Sequence, residues 1–226
     1  MFHINCNTTN NTKLQKIENI LEINKNIEKS SKDFEKIMFI YKTAIKEIEN
    51  KLEILKEEAK LFYDYDLIDY INTRLKTPES IIKKMKNRQL EYTYKEMIKN
   101  INDIAGIRII CIKKEDIYNI RKLIENLPGI RILKEKDYIR NPKPSGYSSY
   151  HMIIDVPVCL SQRIIYVEVE IQIRTLAMHF WASIEHKAKY KSDKEITKAE
   201  SKQLIQYAKL INKLDNKMLQ FTANKT

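Results

Sequence analysis

The segment 164–174 could present a row of functional side chains, because aliphatic and polar residues alternate through it without a break. A β-strand sends successive side chains to opposite faces, so one face of this segment would be wholly aliphatic. The other face would carry two carboxylates, an amide and a guanidinium, from Glu168, Glu170, Gln172 and Arg174. A half-exposed antiparallel strand explains such alternation by itself. The neighbouring segments therefore decide whether this face has a chemical role.

A histidine is expected close to this polar face. His151 lies in the preceding strand-like segment, 149–158, and the short connection around residues 161–163 leads into the alternating segment. So short a connection predicts an antiparallel hairpin, which can place His151 beside Glu170 or Gln172. A lone histidine is often structural, but a protonated imidazole is also a ready donor to phosphate.

The loop that precedes this hairpin is stiffened by two prolines and reads Asn-Pro-Lys-Pro-Ser-Gly-Tyr over residues 141–147. Gly146 permits a positive φ or the close approach of a ligand, and Tyr147 offers a flat π face. An ordinary turn with a buried tyrosine would show the same residues. Both interpretations stay open on the sequence of this loop alone.

A basic cluster between residues 74 and 84 could hold phosphates. Arg74 and Lys76 would share one face of a strand, and Thr77 would cap the helix that follows. Ser80 and Lys84 are four residues apart and so lie one above the other on that helix. Two cations, a hydroxyl and a helix N-terminus make a triphosphate cradle, although a solvated run of charges is the simpler explanation.

Asp103 stands at the beginning of a short apolar strand, residues 104–111, which Arg108 interrupts. Aspartate is common in turns. Together with Glu170, however, it could hold Mg²⁺, which prefers carboxylates together with substrate phosphates. Arg108 needs an anionic partner in such an apolar setting.

The remaining patterns place these residues on an α+β (α/β) framework. Strands are expected near residues 67–76, 105–112, 131–139, 149–158 and 164–174. Helices are expected near residues 78–88, 94–101, 115–127 and 175–191. Because the last two strands form a hairpin while other strands alternate with helices, we predict a mixed sheet of about five strands flanked by helices.

Long helices are expected at both ends of the chain. Glycine and proline are absent from residues 1–77, and capping boxes at Thr12 and at Ser192 with Glu195 predict helix starts. We therefore divide the chain into an N-terminal helical extension, a core and a C-terminal helix, at 1–64, 65–191 and 192–226. The apolar stripes Phe34–Ala59 and Leu204–Phe221 predict self-association, unless the flanks pack on each other within one subunit.

The composition favours an anionic partner. The sequence has 41 Lys and Arg against 30 Asp and Glu, which gives a formal net charge of +11 and suits nucleic acid, anionic lipid or nucleotide phosphates. No apolar run reaches the length of about 20 residues that a membrane helix needs. The N-terminus lacks the pattern of a secretory signal. Three widely spaced cysteines argue against disulfides and structural zinc, so a cytoplasmic protein is expected.

Taken together, four segments resemble the synthetase domain of the RelA/SpoT family, and closely its short members, the small alarmone synthetases of the RelQ and RelP kinds. The matching segments are Arg74–Lys84, Asp103–Cys111, Asp137–His151 and Val167–Lys191, in the order that the family has them. The resemblance implies a nucleotidyltransferase-like mixed sheet. It also implies an enzyme that transfers the β,γ-pyrophosphate of ATP to the 3′-hydroxyl of GTP or GDP, yielding pppGpp or ppGpp and AMP in the stringent response.

The resemblance also implies roles for individual residues. The positions that correspond to the ATP site are Arg74, Lys76, Ser80, Lys84 and Arg108. The positions around the guanosine nucleotide are Lys143, Tyr147, His151 and Gln172, with Tyr147 stacking on guanine. Asp103 and Glu170 would be the catalytic pair and the Mg²⁺ ligands, and Glu170 would also activate the attacking hydroxyl.

Partners follow from the same resemblance: ATP and GTP or GDP as substrates, a homotetramer as the assembly, and alarmone or RNA as possible allosteric ligands. No histidine precedes an aspartate, so the His-Asp motif of the family's hydrolase domain is not expected and neither is hydrolysis.

Two alternatives stay open. One is a catalytically silent RNA- or nucleotide-binding module on the same fold, and the other is a transferase of nucleoside monophosphates that releases pyrophosphate.

Overall fold

A computed structural model describes residues 31–190 and 197–223 of the 226-residue chain. Its centre is one five-stranded sheet in the order β1-β2-β5-β4-β3. The strands are β1 (Tyr70–Leu75), β2 (Ala105–Cys111), β3 (Arg131–Asp137), β4 (Tyr150–Cys159) and β5 (Ile164–Thr175). The helices within the described ranges are α1 (Ser31–Tyr63), α2 (Pro78–Asn87), α3 (Tyr94–Asn100), α4 (Lys114–Glu125), α5 (Leu176–Tyr190) and α6 (Lys198–Ala223).

The sheet is mixed, as the sequence predicts. Strands β2 and β5 pair in parallel, while β1 with β2, β4 with β5 and β3 with β4 pair antiparallel. The expected hairpin is present, and its last pair joins Cys159 to Ile164. Since a parallel pair needs a crossover and an antiparallel pair can use a tight turn, this arrangement follows from where the helices and short loops fall in the chain.

Helix α1 supplies one side of the hydrophobic core. It runs for 33 residues without glycine or proline and contacts β1, β2, β4 and β5. Its apolar stripe, including Ile37, Ala44, Ile48 and Leu52, is fully buried. The aliphatic face of β5 is buried in the same core. The stripe Phe34–Ala59 is therefore largely used within the subunit, but it packs on the sheet rather than on the described part of the C-terminal flank, which was the alternative to self-association.

The two chain ends are described only in part. The helix predicted from Thr12 and the capping box at Ser192 and Glu195 lie outside the described residues. The C-terminal helix α6 begins at Lys198, after a capping box formed by Thr197 and Glu200. No helix in the described ranges is both long and apolar enough to cross a membrane.

Candidate active site

The polar face of the sheet is built from matching positions on neighbouring strands. Arg108 of β2 pairs with Asn72 of β1 on one side and with Gln172 of β5 on the other, and Gln172 pairs with His151 of β4. Side chains in register on adjacent strands share a face and lie close together. Four strands thus contribute one continuous polar row.

Glu170 lies two residues before Gln172 on β5, on the same face of the sheet and next to a gap in the side chains. It pairs with Gly106 of β2, which pairs in turn with Arg74 of β1. A cavity of about 70 Å³ opens here. Its lining residues are Asn72, Arg74, Lys76, Asp103, Gly106, Ile107, Arg108, Glu170 and Gln172. The two predicted catalytic carboxylates therefore line one cleft, although they are 67 positions apart in the chain.

The Asp103 carboxylate is held between two lysines of the predicted ATP site. Lys84 Nζ lies 2.7 Å from Oδ1, and Lys76 Nζ lies 3.0 Å from Oδ2. Burial alone would raise the pKa of Asp103, but the hydrogen bonds and charges of Lys84 and Lys76 outweigh burial and lower it below its usual value. The carboxylate is thus ionised and ready to bind a cation at neutral pH.

Helix α2 positions this basic group. The Thr77 side chain accepts a hydrogen bond from the Ser80 amide at 3.3 Å, and its hydroxyl donates to Ser80 Oγ at 3.0 Å. Pro78 follows the cap as the first helical residue. Ser80 therefore stands at the N-terminus of α2, and Lys84 points one turn further on to Asp103. Lys76 and Lys84 of the predicted phosphate cradle thus meet at Asp103, which lines the cleft.

Arg108 is half-buried in the cleft among other cations. Burial, with Arg174 and Arg74 nearby, lowers the pKa of its guanidinium from the usual value. A guanidinium keeps its charge even so. Such a concentration of positive charge needs an anion, so this part of the cleft is suited to phosphate.

Glu170 accepts hydrogen bonds from its two neighbours on the polar face. Gln172 Nε2 donates to Oε2 at 2.8 Å, and His151 Nδ1 lies 3.4 Å from Oε1. Burial alone would raise the pKa of Glu170, but the contacts with His151 and Gln172 lower it overall. An ionised carboxylate in the cleft could bind a cation or accept a proton.

The predicted guanosine residues lie at the other end of the polar row. Tyr147 donates to or accepts from His151 Nε2 at 2.7 Å. Its ring has the Lys143 ammonium 4.7 Å and the Arg174 guanidinium 5.0 Å from its centroid. Lys143 is exposed and Arg174 is buried. Stacking of a base on Tyr147 would therefore require the exposed Lys143 side chain to move aside.

Gly146 adopts the backbone conformation that the loop sequence suggested. Its φ is +89°, and a Cβ at this position would come within 2.5 Å of the Ala208 Cβ of α6. The loop thus packs closely against the C-terminal helix. A second, larger cavity of about 270 Å³ lies between them, and its lining includes Lys143, Trp181 and Asp215.

The donor set of the cleft fits a divalent cation that substrate helps to hold. Within the described ranges no cluster of three or more His, Cys, Asp or Glu could bind a metal alone. Asp103 and Glu170 nevertheless line the same cavity. Mg²⁺ commonly takes one or two carboxylates and completes its shell with water and phosphate oxygens. Two carboxylates beside a phosphate cradle meet that requirement.

Three residues of the site carry no role in the sequence prediction. Asn72 and Gly106 line the cleft, and Arg174 lies beneath Tyr147. Arg174 could have been found from the alternation of β5, which puts it on the same face as Glu170 and Gln172. Gly106 could not have been found from the sequence, because its place in the cleft depends on its pairing with Glu170 of the neighbouring strand β5.

Comparison with known proteins agrees with this architecture. Residues 73–195 match the RelA_SpoT family, described as a region found in RelA / SpoT proteins, and the chain belongs to that family. It is 43% identical over 187 residues to the GTP pyrophosphokinase YwaC of Bacillus subtilis, covering 83% of this chain and 89% of YwaC. It is 32% identical over 187 residues to the GTP pyrophosphokinase YjbM of the same organism, covering 83% and 87%.

The fold is also that of a small alarmone synthetase. The crystal structure of small alarmone synthetase 1 from Bacillus subtilis, bound to its product pppGpp, superposes with a TM-score of 0.79 at 30% sequence identity. The match covers 86% of this chain and 98% of that one. The nucleotidyltransferase-like fold that the sequence resemblance implied is thereby confirmed.

Proposed function

We propose that this chain is a small alarmone synthetase that transfers the β,γ-pyrophosphate of ATP to the 3′-hydroxyl of GTP or GDP. The products are pppGpp or ppGpp and AMP. The observation that carries the proposal is the shared cleft of Asp103 and Glu170, with Lys76 and Lys84 on the Asp103 side and Tyr147 reached through His151 on the Glu170 side. The GTP pyrophosphokinase relatives have the same activity in their names.

The reaction is an in-line transfer between two bound nucleotides. The 3′-oxygen of the guanosine nucleotide forms a bond to the β-phosphorus of ATP, and the bond from that phosphorus to the α,β-bridging oxygen breaks. AMP leaves with the bridging oxygen and its electron pair. Such a reaction depends on positioning and charge neutralisation more than on covalent catalysis by the protein.

The ATP side would be formed by the cationic half of the cleft. Arg74, Lys76, Lys84 and Arg108 supply positive charge, and Ser80 supplies a hydroxyl at the N-terminus of α2. In the structure, Lys76 and Lys84 pair with Asp103. We infer that they pass to the triphosphate when ATP binds, which releases the carboxylate for the cation.

Glu170 would serve as the base. It is ionised, half-buried and faces the cleft, so it can accept the proton of the 3′-hydroxyl when that hydroxyl lies within hydrogen-bond reach. On the guanosine side we assign Tyr147 to stacking on the base. Lys143, His151 and Gln172 are assigned to contacts with the rest of the nucleotide.

Mg²⁺ is the cation we propose for the two carboxylates. Asp103 would be its principal ligand and Glu170 the second. When bound, the ion would neutralise phosphate charge and polarise the β-phosphorus. The described residues contribute too few ligands for a closed metal site, so binding should depend on the presence of ATP.

The assay that tests this function uses γ-labelled ATP with GTP. A synthetase moves the label into an alarmone and forms unlabelled AMP, whereas a nucleotidyltransferase would release labelled pyrophosphate. A silent RNA- or nucleotide-binding module would form no product at all. The presence of both predicted catalytic carboxylates in one cleft favours the synthetase over that module.

Two substitutions connect the activity to the cleft. We expect Glu170→Gln to lower synthesis by at least about 100-fold, since a positioned base contributes about 10²- to 10⁴-fold. Asp103→Asn should lower it at least as much, because it removes the principal ligand proposed for the cation. Glu168→Gln is the matched control, because Glu168 lies two residues from Glu170 on the same face of β5 and does not line the cavity. Near-normal turnover in either cleft variant would refute the assignment.

Assembly and regulation are separate proposals. We propose a homotetramer, supported by exposed apolar side chains on α5 and α6. Alarmone or RNA would be allosteric ligands of that assembly. The division of the chain at 1–64, 65–191 and 192–226 also stays a prediction, and the burial of α1 against the sheet ties the first segment closely to the core.

A further inference from the structure

Four side chains on the polar face of the sheet and Tyr147 on the adjoining loop form a closed ring of polar contacts. Arg174 Nη2 lies 2.5 Å from Tyr147 Oη and 2.6 Å from Gln172 Oε1. Tyr147 Oη lies 2.7 Å from His151 Nε2, and His151 Nδ1 lies 3.4 Å from Glu170 Oε1. Gln172 Nε2 donates to Glu170 Oε2 at 2.8 Å, which closes the ring. The ring joins the proposed base to the proposed guanine-stacking residue.

Arg174 sets the direction of its own two hydrogen bonds in this ring, because a guanidinium has donors and no acceptor. Gln172 must turn its carbonyl oxygen to Arg174, so its amide group is left to donate to Glu170. Tyr147 must accept from Arg174, so its own hydrogen is left for His151 Nε2.

The surroundings of Arg174 show that it acts through its neighbours. Only 5% of the residue is exposed, and it does not line the 70 Å³ cleft. Its Nε donates to Ser149 Oγ at 3.2 Å, and Ser149, itself fully buried, donates to the Ile173 carbonyl at 3.3 Å. The guanidinium also lies 5.0 Å from the centre of the Tyr147 ring. It is thus a fixed platform beneath two side chains that face the nucleotide.

We propose that Arg174 is a positioning residue for the guanosine substrate, holding the Tyr147 ring and the Gln172 amide in the orientations that receive it. The proposal rests on the proposed function of the chain. Without the guanidinium, the Gln172 amide is free to turn over and the Tyr147 ring loses both its anchor and the cation beneath it. ATP is assigned to the other half of the cleft, where Arg174 acts only through its charge near Arg108, so the binding of ATP should depend on Arg174 much less than the binding of GTP does.

The test compares Arg174→Met and Arg174→Lys with the wild-type protein. In Arg174→Met we expect the KM for GTP and the Kd for GDP to rise at least about tenfold, as for the loss of a hydrogen bond to a charged group. The KM for ATP should stay within about twofold, and kcat should fall by less than the KM for GTP rises. The KM for GTP and the Kd for GDP of Arg174→Lys should lie between those of the wild type and those of Arg174→Met, because lysine keeps the charge and the donors but not the planar fork.

Arg131→Met is the matched control for lost stability. Arg131 also lies over a tyrosine, with its guanidinium 4.4 Å from the Tyr166 ring, and it pairs with the buried Asp155 at 3.3 Å. It is on β3, at the opposite edge of the sheet from β1. This variant should lower the melting temperature without changing the KM for either nucleotide.

The outcomes separate this proposal from the function itself. A wild-type protein that forms no alarmone refutes the function. If the wild type is active, two results for a folded Arg174→Met variant would refute the positioning role. One is a KM for GTP equal to that of the wild type, and the other is a KM for ATP that rises as much as the KM for GTP. Should the Met variant not fold, the Lys variant decides: an unchanged KM for GTP and Kd for GDP would overturn the proposal.

Discussion

Gly106 of β2 lies directly opposite Glu170 of β5 in the parallel register, with no side chain to cover the carboxylate. A Cβ built on Gly106 would meet only the Arg74 carbonyl oxygen, at 3.7 Å, which is an ordinary contact. The glycine is therefore not required by its packing. It leaves open the part of the cleft in which the two nucleotides would meet.

A larger side chain at this position should fill the cleft while leaving the fold intact. In Gly106→Val we expect a melting temperature close to that of the wild type, because valine suits a strand and its Cβ would make only an ordinary contact here. Synthesis should fall by at least about tenfold, as expected when reacting groups are displaced by about an ångström. Circular dichroism melting and the alarmone assay measure the two effects.

Gly129→Ala is the informative comparison. Gly129 has a φ of +79°, and a Cβ there would lie 3.1 Å from the Pro157 side chain, away from the cleft. Alanine at this position should lower the melting temperature and leave the KM values unchanged. If Gly106→Val were fully active, the space opposite Glu170 would not be needed for catalysis.

The binding of GTP should depend on both the ring and the hydroxyl of Tyr147. Because base stacking on an aromatic side chain contributes about 1–3 kcal/mol, Tyr147→Ala should raise the KM for GTP by about tenfold or more. Stacking alone would make phenylalanine a full replacement. The hydroxyl, however, contacts both His151 and Arg174, so we expect Tyr147→Phe to raise the KM for GTP measurably, though less than alanine does.

Steady-state kinetics with GTP varied at saturating ATP provides the measurement for this series. Tyr138→Phe is a suitable control, since the Tyr138 ring also packs beside Lys143, at 4.8 Å, but has no assigned contact with guanine. A Tyr147→Ala variant with the wild-type KM for GTP would exclude stacking at this residue.

The framework of the site could be predicted because it depends on local periodicity. The alternation of β5 assigned Glu170 and Gln172 to one face, and the short connection to β4 brought His151 beside them. Each expected strand and helix within the described ranges is present, with ends that differ by a few residues. These features follow from the pleat of a strand, the turn of a helix and the length of a loop.

Contacts between distant segments could not be predicted in the same way. Periodicity shows which side chains share a face, but it does not show what covers that face. The stripe of α1 therefore gave no sign that the sheet of the same subunit would bury it. Nor did the sequence of the Tyr147 loop show that Lys143 and Arg174 would lie against the ring.

A peripheral ion pair should make the stability of the fold depend on pH. Arg121 binds the Glu135 carboxylate through Nε at 2.7 Å and Nη2 at 2.9 Å. The hydrogen bond from Arg121, against the effect of burial and with help from Tyr150, lowers the pKa of Glu135 below its usual value. The folded state thus favours the ionised form of Glu135. This stabilisation is present above the pKa that Glu135 has in the unfolded chain, and it is lost as the pH falls through the lowered pKa that Glu135 has in the folded protein.

Thermal melting of the wild type and Glu135→Gln across a range of pH tests this prediction. The gap in melting temperature should be widest near neutral pH and should close at acidic pH. Glu125→Gln, which alters the more exposed partner of the same arginine, should show a smaller gap throughout. A gap between wild type and Glu135→Gln that stayed constant with pH would contradict the role of this ion pair.

The oligomeric state should depend on α5 rather than on the buried stripe of α1. Leu176, Phe180 and Ile184 recur every four residues along α5 and are 52%, 60% and 40% exposed, so they form one apolar line on its surface. We expect light scattering after size exclusion to give four times the chain mass of 26.9 kDa. Phe180→Glu should dissociate this tetramer, because a carboxylate would be buried without a partner, whereas Tyr92→Glu, at a residue that is 64% exposed elsewhere, should leave it intact. A wild-type monomer at micromolar concentration would refute the assembly, and a tetrameric Phe180→Glu variant would place its interface on another surface.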